Sequence, residues 1–140
     1  MRIEFWVDYL CPITYLTHQN LLAALAELGL EENEIYYRSF RLSERVFEAS
    51  KQNENIMNIV YDHFPLEREF NHFDTDKAHQ VAHLAKWHEL GKEYNTALLR
   101  KRFDQQADIT KDETILEVAK EINLNLDEVQ RVLDSCCYTT

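Results

Sequence analysis

The apolar positions begin with a short strand-like run, Ile3-Glu4-Phe5-Trp6-Val7, whose aromatic residues suit a pleated surface. A helical pattern follows over residues 15–28. It places Leu16, Leu21, Leu22, Leu25 and Leu28 on one broad face, with Gly29 positioned as a C-cap. Residues 34–40 read as a second strand carrying Ile35, Tyr36, Tyr37 and Phe40. Strand, helix and strand joined by short segments predict a βαβ unit, with parallel strands and a right-handed crossover.

From Ser43 onward the pattern is helical throughout. Residues 43–50 form a short candidate, and residues 53–63 a second that Pro65 would end. Residues 74–90 repeat Ala78, Val81, Ala82, Ala85 and Leu90 at helical spacing, with Gly91 as the expected stop. Residues 92–106 carry Tyr94, Leu98, Leu99 and Phe103. Thr110-Lys111-Asp112-Glu113 reads as a capping box before Ile115, Leu116, Val118 and Ala119. Asn125-Leu126-Asp127-Glu128 offers a similar start before Val129, Val132 and Leu133. The expected fold class is α/β, with a βαβ unit over residues 1–42 and an all-helical domain over residues 43–140. Two parallel strands are too few for a stable sheet alone, and their faces and edges must be covered. Helices of this chain or strands of another copy must supply that cover.

The 140 residues suffice for one domain with a real core. No apolar run approaches the roughly 20 residues of a membrane span. The N-terminus reaches Glu4 at once and lacks the apolar stretch of a signal peptide, so a cytoplasmic location is expected. A net charge of −10 argues against nucleic acid and anionic membrane as partners. The one basic cluster, Arg100-Lys101-Arg102, is followed by Asp104 and reads as a solvated helix face. With glycine only at 29 and 91, no Gly-rich phosphate loop exists.

Three cysteines, an odd number, argue against a structural disulfide framework; in a reducing compartment they are thiols available for catalysis or redox chemistry. Cys11 is the best candidate. It stands between the first strand and the first helix, where free backbone N–H groups and the helix dipole favour a thiolate. Pro12 suits the first helical turn, which has no use for its missing N–H. Thr14 occupies the place of the second cysteine of a C-x-x-C motif.

The order Ile3-Glu4-Phe5-Trp6-Val7-Asp8-Tyr9-Leu10-Cys11-Pro12, a helix, then Tyr37-Arg38-Ser39-Phe40-Arg41-Leu42 resembles the DsbA-like thioredoxin family, and its FrnE-like cytoplasmic branch in particular. Asp74-Thr75-Asp76-Lys77-Ala78-His79 with Leu84-Ala85-Lys86, and the later run from Asp112 to Leu133, are similar to that branch's helical insertion. The resemblance implies a partial thioredoxin-like fold with a large helical insertion, and thiol–disulfide exchange through Cys11 as nucleophile. It also implies a resolving cysteine at position 14, where this chain has Thr14. A threonine hydroxyl can donate a hydrogen bond to a thiolate but cannot resolve a mixed disulfide. The implied chemistry is therefore monothiol, with no bound cofactor and with glutathione or another thiol as co-substrate. The family returns to its sheet through a cis-proline loop, two strands and a final helix. In this chain Tyr138-Thr139-Thr140 stand where that return would begin, and neither Pro12 nor Pro65 fits the cis-proline. An exposed strand edge would then favour a homo-oligomer. Expected partners are a thiol-containing protein or small molecule. A related group, the hydroxychromene-carboxylate isomerases, also lacks the second cysteine and uses glutathione, which gives an alternative isomerase or transferase reading. A non-catalytic scaffold derived from the family is the third.

The adjacent Cys136 and Cys137 are either a distant resolving thiol for Cys11 or incidental. Trp6, Tyr9, Tyr15 and Phe40, with Trp87, are candidates for a substrate groove around Cys11 or for plain core. His79 and His83 lie four apart on one helix face with Asp76 a turn earlier, and His72 and His88 are near in sequence. That spacing can place two imidazoles on a metal, but no matched four-ligand set or H-E-x-x-H motif accompanies it, so no metal is expected.

Overall fold

A computed structural model describes residues 1–64 and 72–135 of the chain. Strand β1 (Ile3–Val7) leads through residues 8–11 into helix α1 (Pro12–Glu27). Strand β2 (Ile35–Ser39) returns parallel to β1, with Ile3 opposite Ile35 and Val7 opposite Ser39. The predicted βαβ unit is present. Gly29 sits at φ 69°, just past the C-cap Leu28, in the left-handed conformation that glycine adopts without strain.

Helix α2 (Glu44–Ser50) is capped by Ser43, whose Oγ accepts the Val46 N–H at 3.3 Å. Helix α3 (Glu54–His63) is capped by Asn53, which accepts the Ile56 N–H at 3.2 Å. Pro65, the expected stop, lies outside the described residues. Helices α4 (Asp76–Trp87), α5 (Gly91–Phe103), α6 (Asp112–Glu121) and α7 (Leu126–Ser135) follow. Asn125 caps α7 as its sequence suggests, accepting the Glu128 N–H at 3.0 Å.

Three local expectations change. Gly91 opens α5 instead of closing α4, and Glu89 takes the left-handed turn between them at φ 60°. A Cβ on residue 91 would stand 3.2 Å from Cδ2 of Tyr37, so the glycine answers the close approach of α5 to β2. Thr110 does not cap α6. Its hydroxyl donates to Asp108 Oδ1 at 2.5 Å, and Lys111 holds the cap position without a side-chain bond. Finally, α1 buries Pro12, Tyr15, His18 and Leu25, not the full leucine row; Leu28 is 69% exposed, because a two-stranded sheet is too narrow to cover the whole helix.

The main core joins α4 to α7 through Val81, Leu98, Leu99, Ile115 and Val129, and it also takes in Val7, Tyr9 and Tyr15 from the N-terminal segment. A smaller cluster of Leu25, Ile35 and Tyr37 lies between α1 and the strands. Helix α5 packs on both α1 and β2. Cover for the two strands thus comes from helices of the same chain. Among the described residues, no helix is long and apolar enough to cross a membrane.

Candidate active site

The sequence puts Cys11 at a strand-to-helix junction, and the structure makes it the N-cap of α1, with extended φ −86° and ψ 121°. Pro12 follows at the first helical position, and the Thr14 N–H donates to the Cys11 carbonyl at 3.1 Å, closing the first turn. Residues 11 and 14 therefore share one end of the helix, where the dipole favours negative charge. Cys11 is half-buried. It opens onto a shallow groove of about 250 Å³ whose lining includes Trp6, Ile13, Thr14 and Thr17. Trp6 is 60% exposed and forms the aromatic wall.

The remaining groove candidates separate by exposure. Tyr9 is fully buried; its hydroxyl donates to Asn95 Oδ1 at 2.7 Å and its ring centre lies 4.5 Å from that of His79. Tyr15 is also buried, stacked on Phe103 at 5.5 Å and donating to Asp104 Oδ2 at 2.5 Å. Both are core, because their side chains face α4 and α5 while Trp6 faces solvent. Phe40 is half exposed but does not line the groove. Trp87 is exposed at the end of α4, away from the groove. Cys136 and Cys137 lie outside the described residues.

His79 and His83 stand one turn apart on α4, while His72 and His88 bond elsewhere. His79 is buried, and neither ring nitrogen has a hydrogen-bond partner among the described residues. Burial lowers its pKa to about 3. His72 bonds the Leu42 carbonyl at 2.9 Å, and His88 meets Glu128 at 2.8 Å. Among the described residues, no cluster of three His, Cys, Asp or Glu side chains is arranged for a metal ion.

Two residues beside Cys11 escaped the sequence reading as functional groups. Asp8 is buried, and its carboxylate accepts the N–H groups of Leu10 at 3.1 Å and Cys11 at 3.0 Å. Burial pushes its pKa above the usual carboxylate range, against the pull of those N–H bonds and of Arg102 and His72. Arg102, read as part of a solvated basic face, is only 2% exposed. Arg100 and Lys101 do reach the surface acids Glu121 and Glu117. Arg102 instead turns inward and donates to the Leu10 carbonyl at 3.3 Å. The signal was available in its spacing: positions 95, 98, 99, 102 and 103 form one helical face, and that face is buried.

A parallel βαβ unit with a cysteine capping its helix, set against a helical layer, defines a thioredoxin-like protein. The DSBA-like thioredoxin domain matches residues 2–140, and the chain belongs to that family. A crystal structure of a probable DsbA oxidoreductase from Streptomyces coelicolor superposes with a TM-score of 0.77 at 23% identity. The match covers 98% of this chain and 69% of that one, and it is a likeness of fold. None of the curated proteins compared with the chain matches it.

Proposed function

We propose that the protein is a monothiol thiol–disulfide oxidoreductase acting through Cys11. The observation that carries this reading is the position of Cys11 as N-cap of α1 beside an open groove, in a chain of the DsbA-like family. In the first step the Cys11 thiolate attacks one sulfur of a substrate disulfide. A new S–S bond forms at Cys11 and the other substrate sulfur leaves as thiolate. Thr14 offers no second thiol, so an external thiolate such as glutathione attacks the mixed disulfide at the substrate sulfur. That restores the Cys11 thiolate and leaves the substrate as its glutathione disulfide. Each step forms one S–S bond and breaks one, and the electron pair of the broken bond leaves on the departing thiolate.

Trp6 and Ile13 supply apolar surface for the substrate. Among the described residues the sheet has only β1 and β2, so each strand keeps one edge without a strand partner. Such an edge supports pairing with a second copy of the chain.

The test is incubation of the protein with glutathione disulfide, followed by peptide mapping. A glutathione adduct at residue 11 that forms faster at neutral pH than on an ordinary thiol, and is removed by added glutathione, is expected. An adduct rate matching that of a free cysteine would turn the reading toward the scaffold.

A further inference from the structure

The turn that presents Cys11 is held by two buried charges from distant parts of the chain. Asp8, 5% exposed, accepts the N–H groups of Leu10 and Cys11, one on each carboxylate oxygen. Arg102, on α5, donates from Nη2 to the carbonyl of the same Leu10. Its guanidinium carbon lies 4.2 Å from the ring centre of Phe103 and 5.5 Å from that of Phe73. Both polar groups of the Leu10 backbone, and the N–H of Cys11, are thus bound by ionisable side chains. Burying a carboxylate and a guanidinium carries a large desolvation penalty, and a turn needs neither for its stability alone. What the pair supplies is geometry and charge at the base of α1. Arg102 brings a rigid, permanently charged fork from the helical layer; Asp8 brings two fixed acceptors from the end of β1.

We propose that Asp8 and Arg102 are positioning residues for Cys11: they clamp residues 8–11 from opposite sides, and their opposite charges act in opposite directions on the proton affinity of the Cys11 thiol. This rests on the reading of Cys11 as the reactive thiol. A nearby carboxylate disfavours a thiolate, and a nearby guanidinium favours it. Among the described residues, other charged or titratable groups around the turn include Glu4, in the groove, His72, near Asp8, and the buried Tyr9, which also feels the charge of Asp8. The first turn of α1 holds no acidic residue. Reduction at Cys11 thereby becomes coupled to the packing of α5, through one side chain.

The test is the pH dependence of iodoacetamide labelling at Cys11 in the full chain, read by peptide mapping, for wild type, Asp8→Asn, Arg102→Met and the double variant. Asp8→Asn is expected to lower the labelling midpoint and Arg102→Met to raise it, each by about one pH unit, with the double variant between them. Unchanged midpoints, or shifts of the same sign, overturn the proposal, since a purely structural role would lower the melting temperature without moving the midpoints apart. If Arg102→Met does not fold, Arg102→Lys takes its place: it keeps the charge and loses the fork, so a smaller upward shift is expected and no shift overturns the clamp. A wild-type midpoint near the free-thiol value of about 8.5 would count against the monothiol reading alone, because the clamp is judged from differences between variants.

Discussion

Leu98 and Leu25 are both buried leucines on helices, yet they sit in unlike cores. Leu98 is fully enclosed in the cluster that joins α4 to α7. Leu25 shares a small cluster with Ile35 and Tyr37, padded by the partly buried Ile3, Leu21 and Leu22. The half that bears Cys11 therefore has the thinner core. Val7, Tyr9 and Tyr15 of the same half belong to the larger one. The βαβ unit is held from behind by the helical layer while its groove side stays open, so the rigidity of the site is supplied by the part of the molecule that carries none of the thiol chemistry.

The sharpest separation of the two halves is Cys11→Ser, which is expected to reduce disulfide exchange to background in a small-disulfide assay while leaving the urea unfolding curve in place. Next in size, Leu98→Ala should destabilise the fold by about 4 kcal/mol and Leu25→Ala by about 2 kcal/mol in urea titrations. Equal losses would break the comparison.

Acidification probes both cores at once. Burial lowers the pKa of His18, in α1, from 6.5 to about 4, and that of His79, in α4, to about 3. The unfolded chain therefore binds protons below about pH 6.5 that the folded chain refuses. Stability is complete above that pH and falls as pH drops toward 4, at up to about 1.4 kcal/mol per unit for each histidine. Urea titrations across this range should show the loss, and His79→Leu should flatten it, most visibly below pH 5. A slope unchanged by that substitution would separate His79 from the effect. The smallest expected change is Tyr9→Phe, which removes the donor to Asn95 and should cost about 1 kcal/mol by the same titration. That bond ties the end of β1 to α5, and a neutral result would show that the halves are joined without it, by apolar packing and by the bonds of Arg102 to Leu10 and Tyr15 to Asp104.

The βαβ order, both strands, the helix starts at residues 43 and 53, the start at Asn125, and the position of Cys11 were legible in the sequence because each rests on local chemistry: period, start and stop residues, and a proline at the first helical position. Gly91 was misjudged because a tertiary contact decided it, and Thr110 because a local turn competed with the helix cap. The approach of Tyr37 claimed the glycine, and Asp108 claimed the threonine hydroxyl. Tyr9 and Tyr15 were candidates for the groove since an aromatic near a cysteine in sequence carries no sign of which way it faces. Arg102 was hidden by its neighbours: in a run of three basic residues, helical geometry alone distinguishes the one that turns inward.

Trp6 gives the groove its own optical reporter. An exposed indole in the same groove as Cys11 senses whatever becomes attached to that sulfur, and its emission should change as a mixed disulfide forms and recover as the adduct is released. Trp87, also exposed but outside the groove, contributes a constant background. The redox state of one thiol is thereby readable in unlabelled protein, in real time, from the light of a single side chain.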